Sequence, residues 1–311
     1  MNSAKQPTIY FIGVTTQKSS IMTVFPKWAE EIGLKDTVIK GIDIPLHAPE
    51  PHYREVVSFI KNDPLSLGAL VTSHKINVYN SCKDMFDYID PYAKELNEVS
   101  CLSKNEGNFC AHAKDPISSG LALEHFVPEN FWKDHGGQVL LLGAGGSSLA
   151  MAHYFAQDKW GDNVPAKVHI ANRSEPRLES AKEHLVRIAD RLNLTLHHGP
   201  KPEDNDALVA ALPPYSLIVN ATGLGKDAPG SPTTDAVCYP EHSLVWEINY
   251  RGELLFMHQA TEQEREKQLH VEDGWQYFIH GWTQVVSEVF HVPIEGKLLT
   301  KLSDIAGTSM R

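Results

Sequence analysis

The residues with the clearest chemical meaning form a glycine-rich segment in the middle of the chain. Residues 143–148 read Gly-Ala-Gly-Gly-Ser-Ser and follow the apolar run 138–142. A glycine at 143 permits a tight turn, one at 145 lets a pyrophosphate approach the backbone, and a small residue at 148 keeps helix and strand close. The N–H groups that begin the next helix would then face phosphates. We therefore predict dinucleotide binding, rather than a plain structural turn, by Gly143, Ala144, Gly145, Gly146, Ser147 and Ser148.

The end of the next predicted strand, residues 166–171, indicates which dinucleotide is preferred. An NAD-binding protein usually places Asp or Glu there, where it accepts a hydrogen bond from the ribose 2′-hydroxyl. Here Arg173 and, slightly later, Arg177 occupy this region, and a guanidinium matches a 2′-phosphate in charge and geometry. We predict NADP, with NAD less favoured, bound by Asn172, Arg173, Ser174 and Arg177. The alternative is that Arg173 is an ordinary solvated loop residue.

Two series of alternating strands and helices would position these residues. Strands are predicted at 8–14, 36–42, 68–72, 138–142, 166–171, 194–198, 216–220 and 243–248. Helices are predicted at 21–34, 53–61, 176–193 and over the final 30 residues, with a break at Pro293 and Gly296. Alternation of this kind is typical of α/β proteins, and the second series fits a doubly wound dinucleotide-binding sheet.

Composition excludes several classes of protein. The chain has 311 residues, which suggests about two domains. Its 28 Lys and Arg against 39 Asp and Glu give a net charge of −11, which disfavours nucleic acid and anionic membranes as partners. No run approaches a membrane span, no signal peptide is apparent, and the four cysteines and sixteen histidines show no metal-ligand spacing. We expect a cytoplasmic monomer or homodimer that binds a small-molecule substrate and no metal.

Several segments, in a consistent order, resemble the motifs of the shikimate dehydrogenase family, which includes quinate/shikimate dehydrogenases. These segments are GVTTQKSS (13–20), VTSHK (71–75), EVSCL (98–102), AKD (113–115), GAGGSS (143–148), NRS (172–174), NATGLG (220–225), EINY (247–250) and the Asp-Gly pair 273–274. The first resembles the family's substrate loop, and VTSHK resembles its catalytic V-T-x-P-H-K segment. The resemblance spans nearly the whole chain.

The resemblance implies both a fold and a reaction. An N-terminal α/β substrate domain, residues 1–121, would be completed by C-terminal helices at 281–311, and residues 122–280 would form a Rossmann-like NADP-binding domain. The implied reaction, part of aromatic amino acid biosynthesis or quinate/shikimate metabolism, is reversible hydride transfer between a ring ketone and a secondary alcohol. Lys75 and Asp115 would lie beside the reacting oxygen, where a lysine and a carboxylate can stabilise charge and move a proton. Further implied coenzyme contacts are Asn220, Ala221, Thr222, Gly223, Leu224 and Gly274.

Departures from the family motifs cluster on the substrate side. Ile21 stands at the second serine of the family's S-x-S pair, and apolar residues replace polar ones at Ala69, Val71 and Ala113. Ser73 replaces proline, Ser100 replaces asparagine, and Gly281 replaces the glutamine of the return helix. A pocket without these polar groups loses discrimination for a polyhydroxylated ring. The candidate substrate contacts are Ser19, Ser20, Ser73, Ser100, Tyr250 and Gly281.

Three functions therefore stay open. The first is an NADP-dependent oxidoreductase acting on a shikimate- or quinate-like cyclic compound. The second is an authentic shikimate 5-dehydrogenase with a rebuilt pocket, and the third is a non-catalytic, NADP-binding regulatory protein of the same fold. Retention of Lys75 and Asp115 favours turnover, although Lys75 could be a surface lysine and Asp115, before Pro116, could belong to a plain turn.

Overall fold

The computed structural model describes residues 2–34, 36–226 and 228–309, which form two compact units. The first unit comprises Met1–Lys114 and Gly281–Arg311, and the second comprises Asp115–His280. Each unit contains one six-stranded sheet among the described residues. The predicted α/β class is confirmed, and the last helical segment of the chain belongs to the first unit.

The first unit is built on a mixed sheet. Its strands are β1 (Thr8–Gly13), β2 (Val38–Asp43), β3 (Ser66–Val71), β4 (Tyr88–Ile89), β5 (Cys101–Asn105) and β6 (Asn108–His112). The spatial order is β2-β1-β3-β5-β6-β4, with β1 parallel to β2 and β3, and β5 antiparallel to β3 and β6. The helices that precede the second unit are α1 (Ile21–Glu31), α2 (Glu50–Asn62), α3 (Lys75–Cys82) and α4 (Pro91–Leu96). All six residues of β1 are buried, as a continuous apolar run in a central parallel strand predicts.

The hairpin formed by β5 and β6 was not predicted from the sequence. Asn105 pairs with Asn108, so that Glu106 and Gly107 form a two-residue loop. Both loop residues have positive φ, as in a type I′ turn, whose twist matches that of the flanking strands. The x-Gly pair between two short alternating segments was the available signal for this hairpin.

The second unit contains an entirely parallel sheet. Its strands are β7 (Val139–Leu142), β8 (Val168–Asn172), β9 (Thr195–His198), β10 (Leu217–Asn220), β11 (Leu244–Glu247) and β12 (His270–Glu272). The order β12-β11-β10-β7-β8-β9 reverses direction between β7 and β10, and ligands of doubly wound sheets bind where the order reverses, beyond the carboxyl ends of the strands. The buried residues of β7, β10 and β11 are wholly apolar apart from Asn220 and Glu247, which end their strands.

Seven α-helices of the described chain precede or alternate with the strands of this second sheet, and two more follow its last strand along the chain. They are α5 (Asp115–Phe126), α6 (Phe131–His135), α7 (Gly146–Phe155), α8 (Glu175–Leu185), α9 (Pro202–Ala210), α10 (Leu255–Thr261), α11 (Glu264–Lys267), α12 (Trp275–Phe290) and α13 (Gly296–Ser309). The predicted helix at 176–193 is too long, because turns follow Leu185. The predicted helix at 21–34 ends at Glu31, before Gly33 with φ +81°. The predicted domain limit at 121 falls inside α5, which lies wholly in the second unit; as the limit of a separately folding domain it stays a prediction.

No helix in the described ranges has both the length and the hydropathy needed to cross a bilayer. Over the same ranges, no three His, Cys, Asp or Glu side chains converge in a way that would hold a metal ion.

Candidate functional site

The glycine turn between β7 and α7 has a conformation that requires glycine at its first position. Gly143 has φ +111°, and its N–H donates to the carbonyl of Ala171 at 2.7 Å. A Cβ at position 143 would lie 2.6 Å from the carbonyl oxygen of Ala221. The turn therefore packs directly against the segment that follows β10, at the point where the strand order reverses.

The outer side of the same turn is open. Gly145 caps α7, and no atom lies within 4 Å of the position that a Cβ would take there. Ala144, Gly146 and Ser147 are half-buried around it. The first N–H groups of α7 thus face open space, where a phosphate group could approach them.

Ser148 lies on the inner side of the turn, and its predicted contact with the coenzyme stays a prediction. Its hydroxyl is fully buried and donates to the carbonyl of Gly143 at 2.6 Å. This bond closes the turn from inside, so that the side chain stabilises the backbone of the glycine turn. The neighbouring Ser147 hydroxyl lies 3.0 Å from the hydroxyl of Tyr277.

Positive charge is concentrated beyond the end of β8. Arg173 and Arg177 are exposed, and neither guanidinium forms an ion pair with a carboxylate of the described chain. The nearby Glu175 lies 3.5 Å from His198, whose Nε2 is 3.2 Å from the Arg173 carbonyl. Asn172 and Ser174 are half-buried between these groups. The segment offers two uncompensated cations to a phosphate.

The loop after β10 is held by its own side chains. Asn220 is fully buried, and its Oδ1 accepts hydrogen bonds from the backbone N–H of Thr222 at 3.1 Å and from the Thr222 hydroxyl at 2.7 Å. The N–H of Leu224 donates to the Thr222 hydroxyl at 3.1 Å. Gly223 and Gly225 have positive φ and reverse the chain twice. The structure thereby brings 220–224 beside the turn at Gly143.

One buried carboxylate at this edge of the sheet was given no role in the sequence analysis. Glu247 ends β11, pairs in register with Asn220, and has no exposed surface. Burial raises the pKa of its carboxyl to about 7. The signal was an acidic residue that ends an otherwise apolar run, followed two positions later by Asn249.

Gly274 and Tyr250 lie near the start of α12. A Cβ on Gly274 would lie 2.1 Å from the carbonyl oxygen of Ile248, so packing alone requires glycine there. The Tyr250 ring packs on Phe278, with 4.5 Å between centroids. A coenzyme contact of Gly274 and a substrate contact of Tyr250 stay predictions.

In the first unit, Lys75 is the first residue of α3 and is half-buried. A lysine is disfavoured at the positive end of a helix dipole, so this placement is unusual for a lysine that only solvates the surface. The residue before α3, His74, is buried; its Nε2 lies 2.9 Å from the Ile44 carbonyl and its Nδ1 3.2 Å from the Tyr53 hydroxyl. Burial lowers the pKa of His74, which anchors the segment that presents Lys75.

Ser73 has a backbone conformation that excludes the proline of the similar family motif. Its φ is +56°, and the N–H of His74 donates to the carbonyl of Thr72 at 2.5 Å across it. Proline is confined to φ near −65°. The replacement of proline by serine therefore changes the path of the backbone, and Ser73 is exposed beside Lys75.

Asp115 begins α5 and is buried. Its carbonyl accepts the hydroxyls of Ser118 at 3.3 Å and Ser119 at 2.6 Å. The hydroxyl of Ser100 accepts the N–H of Lys114 at 2.7 Å and so fixes the residue that precedes Asp115. The N–H of Val99 in turn donates to the carbonyl of Lys75 at 3.1 Å.

Hydrogen bonds thus connect the Lys75 segment, through 99–100, to Lys114 within the first unit. Ser100 is buried and its hydroxyl holds this backbone, so a short polar side chain is useful at this position whether or not it contacts a ligand.

The remaining candidate substrate residues lie in two places. Ser19 and Ser20 are half-buried in a loop held by Thr16, whose N–H and hydroxyl donate to Asp43 at 2.8 and 2.6 Å. These bonds lower the pKa of Asp43. Gly281 lies in α12, and no atom lies within 4 Å of the position of a Cβ there. A larger side chain at 281 would have room.

Comparison with known proteins gives one consistent group of relatives, although no family model matches the chain. The shikimate dehydrogenase (NADP(+)) of Streptococcus thermophilus is 25% identical over 236 residues, which are 76% of this chain and 77% of that protein. That of Lactococcus lactis subsp. cremoris is 25% identical over 178 residues, 57% of this chain and 59% of that protein, so the matched region is little more than half of that relative.

Solved structures match the chain over nearly its full length. The shikimate dehydrogenase from Aquifex aeolicus has a TM-score of 0.69 at 20% identity and covers 100% of both chains. A shikimate dehydrogenase in complex with NADP+ has a TM-score of 0.73 at 19% identity, covering 100% of this chain and 98% of the other. A quinate dehydrogenase from Corynebacterium glutamicum in complex with NAD has a TM-score of 0.72 at 17% identity, covering 97% and 99%.

Proposed function

We propose that the chain is a member of the shikimate dehydrogenase family and an NADP-dependent oxidoreductase that interconverts a ring ketone and a secondary alcohol, which its similarity to these enzymes supports. The observation that carries this proposal is the turn after β7. Its inner side is closed by Gly143 against Ala221, and its outer side at Gly145 is open to a pyrophosphate. The substrate is a shikimate- or quinate-like cyclic compound.

Two features support NADP over NAD. Arg173 and Arg177 stand where an NAD-binding protein would carry a carboxylate, and both are exposed without an ion-pair partner in the described chain. A guanidinium can bind a phosphate with two parallel hydrogen bonds. The relatives from Streptococcus and Lactococcus are themselves named as NADP(+) enzymes.

Lys75 and Asp115 are the proposed catalytic residues. When bound, the coenzyme supplies or accepts the hydride. Lys75 stabilises the negative charge that develops on the carbonyl oxygen during reduction and gives that oxygen a proton; in the oxidation it takes the proton back. Asp115 keeps the lysine oriented and compensates its charge.

The residues at the positions of the family's substrate contacts favour a pocket that differs from one that binds a trihydroxylated ring. Ile21, Ala69, Val71 and Ala113 are fully buried apolar residues, and Gly281 contributes no side chain. Each missing hydrogen bond removes about 1 kcal/mol of binding free energy. We therefore expect the preferred substrate to carry fewer hydrogen-bonding groups than a trihydroxylated ring.

An absorbance assay of NADPH oxidation and NADP reduction tests this function. The purified chain is assayed with shikimate, quinate and a panel of related cyclic alcohols and ketones, with NADH and NAD in parallel. Turnover of at least one cyclic compound, faster with the phosphorylated coenzyme, is the expected result. Tight NADPH binding without turnover across the panel would instead favour the non-catalytic regulatory protein, and ordinary efficiency with shikimate would contradict the altered pocket.

Replacing Arg173 with alanine is expected to raise the Kd of NADPH by about 10- to 100-fold and to leave the Kd of NADH nearly unchanged. The range corresponds to the loss of about 1.5–3 kcal/mol from charged hydrogen bonds to the 2′-phosphate. Both constants are measured by fluorescence titration. The exposed Arg187→Ala, in the same unit, is the matched control. Equal losses for both coenzymes, or no loss for either, would show that Arg173 does not read the phosphate.

A further inference from the structure

The carboxylate of Glu247 receives hydrogen bonds from three N–H donors in a fully buried position. Its Oε2 accepts from the Nδ2 of Asn220 at 2.6 Å. Its Oε1 accepts from the backbone N–H of Asn249 at 2.9 Å and from the Asn249 Nδ2 at 2.6 Å. Every one of these partners is a donor, so the group they fit is an ionised carboxylate, which only accepts.

This arrangement fixes which way the two amide side chains point. Because the Nδ2 of Asn220 faces the carboxylate, its Oδ1 is left to accept from the N–H and hydroxyl of Thr222. The Nδ2 groups of Asn249 and Asn220 also lie 3.2 and 3.3 Å from the carbonyl of Leu224. A rotation of either amide would place its oxygen against the Glu247 carboxylate, and in Asn220 it would also place Nδ2 against the N–H of Thr222.

The hydrogen bonds to Glu247 thus fix the loop 220–224, which packs on the glycine turn at Gly143. Ala221 lies between Asn220 and Thr222, and its N–H donates to the carbonyl of Leu142 at 2.8 Å. Its own carbonyl oxygen leaves no room for a side chain at position 143. A displacement of 220–224 would therefore change the shape of the surface on which the pyrophosphate is proposed to rest.

Building on the proposed function, we propose that Glu247 is a positioning residue for the coenzyme: in its ionised form it holds Asn220 and Asn249, and through them the loop 220–224, in the shape that binds NADP. A role of Glu247 in stability alone explains its ionised form less well than a role in coenzyme binding. Burying a charge costs stability that an apolar or neutral side chain would not, so an ion retained there needs another reason.

The titration of Glu247 gives this role a measurable consequence. Burial raises the pKa of the carboxyl to about 7, against the hydrogen bonds from the asparagines and the charge of Lys226. Among the described residues, the Tyr239 hydroxyl also interacts with this carboxylate. A proton on either oxygen would meet an N–H donor, so protonation breaks the network. Coenzyme affinity is therefore expected to fall as the pH falls through about 7.

The stability of the fold is expected to move in the opposite direction. The folded pKa of about 7 lies above the ordinary carboxyl value of 4.5, so the folded chain binds the proton more tightly than the unfolded chain. The contribution of this group to the free energy of unfolding is thus fully present below about pH 4.5 and is lost as the pH rises through about 7. A residue that served stability alone could not show both trends.

The test compares the Kd of NADP for three proteins between about pH 6 and about pH 9, together with their melting temperatures. They are the wild type, Glu247→Gln, and Glu247→Gln combined with Asn220→Asp. In the double variant the glutamine amide can donate to the new carboxylate, so the 247–220 hydrogen bond is restored with its polarity reversed. Glu262→Gln, an exposed glutamate of the same unit, is the control.

Glu247→Gln is expected to raise the Kd of NADP about tenfold at pH 8, with a melting temperature equal to or above that of the wild type. The wild-type Kd is expected to rise about tenfold between pH 8 and pH 6. The 2′-phosphate itself titrates near pH 6, so the shallower profile of Glu247→Gln provides the baseline. The double variant is expected to recover most of the affinity.

Two results would overturn the inference while the proposed function stands. One is a Glu247→Gln variant with the wild-type affinity and pH profile. The other is a loss of affinity that follows a fall in melting temperature and is not recovered by the double variant. A wild-type chain that binds neither NADP nor NAD would overturn the proposed function and this inference together.

Discussion

Lys75→Ala is expected to lower kcat by about a thousandfold while the Kd of NADPH stays within about twofold of the wild type. The size follows from what the side chain is proposed to do, since proton transfer and charge stabilisation at the reacting oxygen are each worth about 10²- to 10³-fold or more. The residues proposed to bind the coenzyme are others, all in the second unit, so the coenzyme affinity has no reason to change. Stopped-flow or steady-state absorbance gives kcat, and fluorescence titration gives the Kd.

The matched control is a lysine that lies immediately beyond the end of the same helix. Lys83, which follows the last residue of α3, is exposed, and Lys83→Ala removes the same charge and stem. It is expected to leave kcat unchanged. If Lys75→Ala retained more than about a tenth of the wild-type kcat, Lys75 would be the ordinary surface lysine that its residue type alone suggests.

Gly143→Ala is expected to destabilise the second unit by about 3 kcal/mol or more and to abolish coenzyme binding. Two costs add: a non-glycine residue at positive φ, and the overlap of its Cβ with the Ala221 carbonyl at 2.6 Å. Both the turn and the loop after β10 would have to move. Urea unfolding followed by tryptophan fluorescence measures the stability, because Trp246 is buried in β11 of this unit.

Gly145→Ala is the matched comparison, two residues away. Its φ is −101° and a Cβ there meets no atom within 4 Å, so the fold is expected to keep its stability to within about 1 kcal/mol. The added methyl would occupy the space proposed for the pyrophosphate, and the Kd of NADPH is expected to rise by at least about tenfold. A stable Gly145→Ala that bound NADPH normally would place the phosphates elsewhere.

The sequence allowed the strongest parts of the fold to be predicted because their signals are local. The apolar runs of β1, β7 and β10 are continuous since both faces of a parallel strand are covered. The turn at Gly143 could be predicted because the same few residues set the backbone path, the packing and the ligand contact. The hairpin of β5 and β6 was missed because its strands are short, mixed in polarity and joined by a pair with only one glycine.

The roles of individual side chains in the candidate site depend on hydrogen-bond partners that come together only in the folded chain, and these partners cannot be read from the sequence. Ser148 and Ser100 have the residue types of ligand contacts, yet the hydroxyls are used to hold Gly143 and Lys114. Glu247 is an acidic residue at a strand end, and its meaning comes from an asparagine 27 positions earlier in the chain. The absence of carboxylate partners for Arg173 in the described chain likewise becomes visible only once the neighbouring loops are placed.

The discontinuous first unit has a consequence for biosynthesis. The indole N–H of Trp28 donates to the Leu302 carbonyl at 2.7 Å, the ring of Phe25 stacks 6.1 Å from that of Phe290, and Phe11 lies 5.0 Å from Trp282. These partners emerge from the ribosome only after the whole of 115–280 has been made. The second unit is continuous in sequence and can therefore fold first during synthesis. Until 281–311 has been made, the apolar face of α1 stays uncovered and can bind chaperones.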